Sequence, residues 1–456
     1  MTQPETDARL LRRIGARVLS EANDLKRTPL ALANDLGEPI EAVQAVIDGK
    51  ARLEFARKMV QRMTEIYPIP LRSLWLERDD TDEGVRVVTA AESKASARVF
   101  DRKDADGAIT PYYEYRDTAM SRAAPFKPEW IEEIRIVSNA DPENPNVAYN
   151  NGHLMHQTTF FIGPVNFYWE NEGVRHCAEM TTGDSNYITP FVPHSFASRD
   201  PDELGLIIAV TFGAGVADAL DEFMAMGSQR AEQLCGGDAT GFAARLSRYL
   251  AAESMTPTEL ATRMQRDGID AVRASAISGG SVDPSTEELE VVANCLSVRV
   301  CDIMGASHVG SERVVVRRSA ETEARLYPSD NGPVYRIKEL ARTPHQPFLK
   351  GFDIGVLSDV GHARFEHGLH EFVYNYGVVP VELAWNKTRT VLLQPGDSAY
   401  VQPMVSHAFR CLNSEHEGQL VVIRIPGRLT DNTLDEYAGF DPSNRYRVSG
   451  ETKRWF

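Results

Sequence analysis

Two histidines and a glutamine stand at positions from which they could bind a metal ion together. His153 and Gln157 lie four residues apart in "YNNGHLMHQTTFF", at the start of a strand-like segment, and His194 follows in "GDSNYITPFVPHSF". Two histidines and one oxygen ligand on one side of a metal leave positions open for substrate and O2, as in non-haem Fe(II) oxygenases. Histidines in a β-barrel also serve as hydrogen-bonded packing residues, and spacing alone leaves both roles open.

The segment around His194 occurs twice in the chain. "GDSNYITPFVPHSF" at 183–196 is matched by "GDSAYVQPMVSHAF" at 396–409, which places His407 opposite His194. Aligning "PVNFYW" at 164–169 with "PVELAW" at 380–385 predicts these matches: Leu369 or His370 with His153, and Val373 or Tyr374 with Gln157. On this alignment His407 has no clear oxygen partner, so we expect one active site and one structural copy.

Helical segments that precede the two copies are also alike. In "LKRTPLALANDLGEPIEAVQAVIDGK", Thr28 and Pro29 are typical of a helix N-cap and first turn, and Gly37 separates two apolar-periodic stretches. The same pattern, typical of a helix-turn-helix, recurs at 255–276 with an offset of 228 to 229 residues. In this repeat, Lys26 falls opposite Ser254.

The remaining segments are rich in aromatic and β-branched residues bounded by turn residues, which indicates many short strands and a jelly-roll or cupin barrel. We therefore predict an α+β protein, a tandem repeat of a helix-turn-helix-like helical domain and a cupin barrel. The predicted boundaries are 1–80 for the first helical domain, 81–215 for the metal-binding barrel, 216–310 for a linking helix and the second helical domain, 311–440 for a degenerate, structural barrel, and 441–456 for a C-terminal tail.

Composition narrows the class of protein. The chain has 456 residues, 42% hydrophobic and 25% charged, which is ordinary for a globular protein of two or more domains. The five cysteines are scattered without a C-x-x-C pair, and the N-terminus has no apolar signal region, so we expect a reduced cytoplasmic protein. A net charge of −16 disfavours nucleic-acid and membrane partners.

Several motifs together resemble a family of non-haem iron enzymes that act on hydroxyalkylphosphonates. These motifs are "NNGHLMHQ", "GDSNYITPFVPHSF", "PYYEYRDTA" at 111–119 and "DLKRTPLALANDLG" at 24–37. Members are hydroxyethylphosphonate dioxygenase, methylphosphonate synthase and, at half the length, hydroxypropylphosphonate epoxidase. The tandem organisation covers the whole chain, as in the first two members.

The resemblance implies that His153 and His194 bind Fe(II), with Gln157 at the position of the third ligand. The dioxygenase has a glutamate in the strand before the last histidine, where this chain has Ile188 and Thr189. The epoxidase has a glutamate at the position of Gln157. A glutamine there, with an aliphatic residue such as Ile188 in the later strand, is similar to methylphosphonate synthase.

A phosphonate pocket is implied in the same way. The family's substrate-binding positions fall on Lys26, Tyr113, Tyr115 and Asn150, which offer a cation and hydroxyl or amide donors to a dianionic group. Arg102 is the best match to a family arginine, with Lys103 an equal contender. The two tyrosines could equally be core aromatics, and Lys26 could be a solvated residue at a helix end.

The implied reaction is an O2-dependent cleavage of the C–C bond of 2-hydroxyethylphosphonate, giving methylphosphonate with carbon dioxide or bicarbonate. The alternative products are hydroxymethylphosphonate and formate. Neither reaction needs 2-oxoglutarate. A homo-oligomer in which a helical domain completes a neighbour's active site also fits the resemblance.

A transcription regulator built from helix-turn-helix and cupin domains is the rival interpretation. DNA-reading helices are usually basic, whereas residues 1–80 carry no net charge and residues 236–310 carry a net charge of −4. We therefore prefer the enzyme.

Overall fold

A computed structural model describes residues 6–235, 241–304, 312–328, 332–357, 363–413 and 415–454. They combine helix and sheet and form two compact units: 1–212 with 314–456, and 213–313. Within these described ranges, no helix is both long and apolar enough to cross a membrane.

The chain begins with five helices: α1 (Asp7–Asp24), α2 (Pro29–Leu36), α3 (Ile40–Ile47), α4 (Leu53–Ile66) and α5 (Leu71–Leu74). The Thr28 hydroxyl accepts from the Ala31 amide at the start of α2, and Gly37 ends it with φ of 68°. These are the cap and turn that the sequence predicts. Each long helix buries one apolar face, and Ile14, Val18 and Leu32 lie in the shared core.

A short strand, β1 (Val85–Val88), and helix α6 (Ala90–Ala95) lead to nine strands, which we call the first β-region (residues 98–212). They are β2 (Arg98–Lys103), β3 (Ile109–Asp117), β4 (Phe126–Glu133), β5 (His156–Ile162), β6 (Val165–Asn171), β7 (Val174–Met180), β8 (Ser185–Ile188), β9 (His194–Ser198) and β10 (Leu206–Phe212).

The unit at 213–313 is helical. Its helices are α7 (Gly215–Asp218), α8 (Leu220–Met226), α9 (Ser228–Cys235), α10 (Phe242–Ala252), α11 (Pro257–Arg266), α12 (Ala271–Ser278), α13 (Thr286–Leu296) and α14 (Val300–Ile303). Thr256 caps α11 as Thr28 caps α2. The predicted linking helix at the start of 216–310 is observed as three short helices over 215–235, and residues 236–240 lie outside the described ranges.

The chain then forms β11 (Val314–Arg317) and nine further strands, the second β-region (residues 325–425). They are β12 (Arg325–Tyr327), β13 (Tyr335–Glu339), β14 (Lys350–Val356), β15 (His370–Asn375), β16 (Val381–Trp385), β17 (Arg389–Leu393), β18 (Ser398–Val401), β19 (His407–Cys411) and β20 (Gly418–Ile425). Helices α15 (Asp431–Gly439) and α16 (Tyr446–Ser449) follow. The terminal segment reaches the first helices, where the Asn23 amide donates to the Lys453 carbonyl at 2.9 Å.

The nine strands of each β-region, together with one edge strand from outside the region, form a seven-stranded and a three-stranded sheet. The first has the orders β11-β8-β5-β10-β4-β3-β2 and β7-β6-β9, and the second has β1-β18-β15-β20-β14-β13-β12 and β17-β16-β19. Buried residues of both sheets meet in the cores, as Phe161 and Phe167 do in the first β-region. The strands that carry Gln157 and His194, β5 and β9, thus belong to the two sheets that meet in the core of the first β-region.

Two edge strands are exchanged between the β-regions. Strand β1, which precedes the first β-region, pairs antiparallel with β18 of the second, and β11 pairs antiparallel with β8 of the first. The predicted boundaries assigned 85–88 to the first barrel and 314–317 to the second, and they are wrong for these two strands. Strand length and composition alone do not determine the partner of a four-residue edge strand, which depends on tertiary contacts.

Candidate active site

A cavity of about 230 Å³ lies in the first β-region. It collects predicted residues from four parts of the sequence, namely Arg102, Tyr113, Tyr115, Asn150, His153, Gln157 and His194. Residues that lie far apart in the chain thus share one concave surface, which is the usual form of a small-molecule site.

The three predicted metal ligands face one another. Gln157 lies near the start of β5, His153 three residues before that strand, and His194 at the start of β9. The imidazole centroids of His153 and His194 are 5.3 Å apart with ring planes at 86°, and His153 Nε2 lies 3.3 Å from Gln157 Oε1. Two imidazole nitrogens and one amide oxygen are therefore presented from two strands to one region of space.

Hydrogen bonds to the backbone orient both imidazoles. His153 Nδ1 lies 2.9 Å from the Met155 carbonyl, and His194 Nδ1 lies 2.8 Å from the Val192 carbonyl. A carbonyl can only accept, so each Nδ1 carries the proton and each Nε2 presents a lone pair. Such second contacts orient metal-binding histidines in proteins.

The Gln157 side chain is oriented by a neighbour on its own strand. Its amide nitrogen donates to the Thr159 hydroxyl at 3.0 Å, which turns Oε1 towards His153. The amide oxygen and the imidazole nitrogen are both lone-pair bearers, and a cation between them would satisfy both. The donor set fits a divalent iron ion, which accepts imidazole and neutral oxygen ligands.

His194 is 5% exposed. Burial is the main cause that lowers its pKa to about 4, and the nearby His153 contributes in the same direction. The imidazole is therefore neutral at neutral pH, as metal binding requires. Asn150 contacts the same ring, with its amide nitrogen 3.0 Å from Nε2 and its oxygen accepting from the His194 amide.

Ile188 lies on the strand beside Gln157. The two residues pair directly across β8 and β5, and Ile188 is 1% exposed. In the second β-region, Val401 pairs with Glu371 in the same way. The apolar side chain cannot bind a metal, so the neighbouring position on β5 is left to supply the oxygen ligand.

The two predicted tyrosines differ in how their hydroxyls are used. The Tyr113 hydroxyl lies 3.1 Å from the Ser195 hydroxyl and accepts from the Phe196 amide at 3.0 Å. No described residue hydrogen-bonds the Tyr115 hydroxyl, which leaves it available to a ligand. Burial raises the pKa of both phenols, so both remain protonated donors.

The lining of the cavity distinguishes between the basic residues that were predicted to bind the phosphonate. Arg102 lines it, whereas Lys103 is not among the described lining residues. Lys26 is also not among them, and its ammonium group lies 3.2 Å from the Asp24 carbonyl at the end of α1. Lys26 has φ of 58°, an uncommon left-handed conformation for a lysine.

Sequence reasoning missed three polar lining residues, Lys127, Glu129 and Thr211. Lys127 and Glu129 belong to β4, and Thr211 pairs with Gln157 across β10 and β5. Burial raises the pKa of Glu129, although Arg98 lies 3.6 Å from its carboxylate. Alternation along "FKPEWIEE" indicates which side chains share a face, but only the sheet order brings that face to the ligands.

The second β-region corrects the predicted alignment. His367, Glu371 and His407 are grouped there, with His407 Nε2 2.8 Å from Glu371 Oε1. His407 thus has an oxygen partner, and the matches with Leu369 or His370 and with Val373 or Tyr374 are wrong. Only Gly163 and Pro164 connect β5 to β6, whereas residues 376–380 connect β15 to β16. An alignment based on β6 and β16 therefore assigns the residues before these turns to the wrong partners.

Glu133 on β4 is fully buried, and no described residue hydrogen-bonds either of its carboxylate oxygens. Burial raises its pKa well above the ordinary value. The folded state therefore holds the proton more tightly than the unfolded chain, so stability is lost as the pH rises from the unfolded pKa through the folded pKa. Val356 is the corresponding residue of the second β-region. It pairs with Gly418 across β14 and β20, and the Glu133 amide donates to the Gly205 carbonyl just before β10.

We expect Glu133→Val to raise the free energy of unfolding at pH 8 by roughly 1–3 kcal/mol, because it removes an unsatisfied buried acid. The gain should shrink towards pH 4, where the carboxyl is protonated in both states. Urea unfolding followed by circular dichroism across this pH range measures it. A loss of stability at pH 8 would contradict the assignment of Glu133 as a destabilising group.

The chain is similar to known enzymes that act on phosphonates. No protein-family model matches the chain. Methylphosphonate synthase of Nitrosopumilus maritimus (strain SCM1) is 35% identical over 455 residues, covering 97% of this chain and 95% of that protein. The chain belongs to the methylphosphonate synthase family. The suspected family is thereby confirmed.

Two further relatives extend the comparison of the methylphosphonate synthase family. A solved structure of Streptomyces albus 2-hydroxyethylphosphonate dioxygenase with 2-hydroxyethylphosphonate and Fe(II) bound has a TM-score of 0.89 and 33% identity, covering 99% of this chain and all of that one. The (S)-2-hydroxypropylphosphonic acid epoxidase of Streptomyces wedmorensis is 26% identical over 191 residues, covering 41% of this chain and 89% of that protein.

Proposed function

We propose that this protein is an Fe(II)- and O2-dependent enzyme that converts 2-hydroxyethylphosphonate to methylphosphonate and carbon dioxide or bicarbonate. One observation carries the proposal: two imidazole Nε2 atoms and the Gln157 amide oxygen converge beside a cavity that Arg102 and Lys127 line. The proposed reaction is that of the related methylphosphonate synthase, and the proposed substrate and metal are those bound in the related dioxygenase.

His153, Gln157 and His194 would hold the iron, which would supply the activation of O2. The protein's own residues bind and orient the phosphonate. Arg102 and Lys127 line the cavity and provide positive charge for a dianionic group. With 2-hydroxyethylphosphonate and O2 as reactants, the atoms balance to methylphosphonate, carbon dioxide and water without 2-oxoglutarate.

Hydroxyl and amide donors complete the proposed phosphonate site. Tyr115 presents a protonated hydroxyl, and Tyr113 holds its neighbours Ser195 and Phe196 in place. The Asn150 amide nitrogen, 3.0 Å from His194 Nε2, would turn to the substrate when a metal takes that lone pair. Lys26 would reach the phosphonate of a neighbouring subunit in a homo-oligomer, as its position outside the lining of its own chain's cavity suggests.

A second candidate reaction gives hydroxymethylphosphonate and formate. The observation that favours it is the 0.89 TM-score and 33% identity with the Streptomyces albus dioxygenase. We prefer methylphosphonate because Gln157 is neutral and Ile188 beside it is apolar, so neither position supplies a carboxylate ligand to offset the charge of the metal. A more positive centre should hold an anionic product such as formate longer, and thus allow its further oxidation.

Phosphorus NMR tests the proposed reaction. The protein is reconstituted anaerobically with Fe(II), mixed with 2-hydroxyethylphosphonate, and exposed to air. A methylphosphonate signal is expected. A hydroxymethylphosphonate signal would assign the dioxygenase reaction instead, and unchanged substrate with one iron bound at His153 and His194 would overturn both.

Gln157→Glu tests the third ligand. We expect the variant to retain iron and to shift the product ratio towards hydroxymethylphosphonate, measured by phosphorus NMR. Without metal, the new carboxylate has no cation beside it, so the apoprotein should unfold at a lower temperature. The double variant with Thr211→Arg copies Glu371 and Arg424 of the second β-region and should recover that loss. An unchanged product ratio would count against Gln157 as a ligand.

We also propose that the two β-regions are cupin-type copies in a tandem repeat with helix-turn-helix-like domains. Supporting this, Trp169 pairs with His194 as Trp385 pairs with His407, and the helices near Thr28 and Thr256 begin with the same cap. The proposed domains keep the predicted boundaries, except that strands β1 and β11 belong to the opposite copy.

A further inference from the structure

We propose that His367, Glu371 and His407 form a second metal site, which binds a divalent first-row transition-metal ion in the second β-region. One ligand atom from each residue lies within 4.8 Å of the other two. His367 Nε2 is 3.0 Å from Glu371 Oε2, and His407 Nε2 is 2.8 Å from Glu371 Oε1. Two imidazoles and a carboxylate on one side of a metal are the ligand set of non-haem iron sites, and other divalent ions of this series accept it.

The tautomers of both histidines present lone pairs to this point. His367 Nδ1 lies 3.1 Å from the Leu369 carbonyl, and His407 Nδ1 lies 2.8 Å from the Val405 carbonyl. Each Nδ1 therefore carries a proton, so in the neutral tautomer Nε2 is unprotonated and faces the carboxylate. In that tautomer the lone pairs of nitrogen and oxygen repel one another, and a cation between them converts the repulsion into coordination.

Burial makes the need for a partner stronger. Glu371 is 0% exposed and His407 is 1% exposed. Apart from each other, Glu371 Oε1 and His407 Nε2 have no polar partner among the described residues. Two buried polar atoms with no other partner are costly, and a shared metal ion satisfies both.

The strand registers show that this cluster stands at the same place as the first site. Glu371 pairs with Val401 and Arg424 on its two sides, as Gln157 pairs with Ile188 and Thr211. His367 and His407 occupy the places of His153 and His194 relative to β15 and β19. The backbone that presents the first ligand set therefore also presents the second.

The second site has an arginine and a glutamate where the first site has two neutral residues, so the net charge of each pair is the same. Arg424 Nε lies 2.6 Å from Glu371 Oε2, whereas the corresponding Thr211 and Gln157 are both neutral. The guanidinium holds one carboxylate oxygen and leaves Oε1, beside His407, for the metal. It stabilises the metal-free carboxylate and lowers the affinity for a cation, so the site should bind metal reversibly.

A cavity borders the cluster at His367. A cavity of about 310 Å³ is lined by His367 and Arg424, and also by Arg325, Arg364 and Tyr327. A metal held by three protein ligands has further positions to fill, and this cavity would supply water or a small anion to them.

Metal stoichiometry tests the proposal. The full-length protein is stripped with chelator and dialysed anaerobically to equilibrium against excess Fe(II), and protein and dialysate are then analysed by inductively coupled plasma mass spectrometry. Two ions per chain are expected. His194→Ala and His407→Ala should each retain one, and the double variant should retain none. One ion per chain in the wild type, lost completely with His194→Ala and unaffected by His407→Ala, would overturn the second site.

Arg424→Thr provides a test that leaves all three ligands in place. It copies the residue of the first β-region and should increase the affinity of the second site for Co(II) by about tenfold or more, followed by visible absorption. If Arg424→Thr leaves this affinity unchanged or lowers it, the guanidinium does not compete with a metal. Should His407→Ala fail to fold, anomalous diffraction from the Fe(II)-loaded wild type decides by the presence or absence of a peak between His407 and Glu371.

Discussion

Replacing His194 with alanine should reduce turnover of 2-hydroxyethylphosphonate by more than about a hundredfold, because losses of this size already follow from changes to groups that merely support a ligand. The side chain is one of only three proposed ligands, and the neutral Gln157 beside it adds no charge to hold the metal. Turnover is measured by phosphorus NMR, and bound iron is measured on the same samples after anaerobic reconstitution.

His176→Ala is the matched control for that variant. His176 stacks on Trp169 of the neighbouring strand, with ring centroids 5.2 Å apart, and is not among the described residues that line the cavity. Its removal should change turnover by less than about twofold. If His194→Ala kept wild-type turnover while His176→Ala lost it, the site would have been placed beside the wrong strand, β9 instead of β7.

Arg102→Ala should raise KM for 2-hydroxyethylphosphonate by roughly 10- to 100-fold, because charge-assisted hydrogen bonds contribute about 1.5–3 kcal/mol. The effect should appear mainly in KM, since Arg102 is expected to bind the phosphonate and not the metal. Lys103→Ala removes the adjacent charge from the same strand and should leave KM within about twofold. Steady-state kinetics on both variants measure the difference.

The opposite outcome has a clear meaning. A large KM effect in Lys103→Ala with none in Arg102→Ala would show that the strand presents its other face to the substrate. The register shift between Phe100 and Asp101, where β2 pairs with β3, is the feature that decides which of the two side chains faces the cavity.

The sequence predicted several of the residues that line the first cavity, because most of them lie in recognisable segments. His153, Gln157 and Arg102 do line one cavity. Lys127 and Thr211 could not be found in this way, because they carry no motif and reach the cavity only through the pairing of β4, β10 and β5. Sheet order is a long-range property, which composition and spacing do not determine.

The second cluster was missed for a different reason. "HLMHQ" at 153–157 and "HGLHE" at 367–371 share two histidines followed by an amide or acid, and aligning them directly would have paired Gln157 with Glu371. An alignment through the aromatic segments is displaced by the longer turn before β16. A local motif is a better anchor than a strand when the intervening turn can vary in length.

The exchange of β1 and β11 has a consequence for how the chain is made. During synthesis, β8 has an open edge until Val314 to Arg317 leave the ribosome, and β1 waits for residues 398–401 before it has any strand to join. Unpaired edges promote aggregation, and a nascent chain grows by only about 5–20 residues per second. Each seven-stranded sheet therefore needs a strand from both halves of the chain before it is complete. Termination of synthesis anywhere before residue 401 leaves at least one edge strand unpaired.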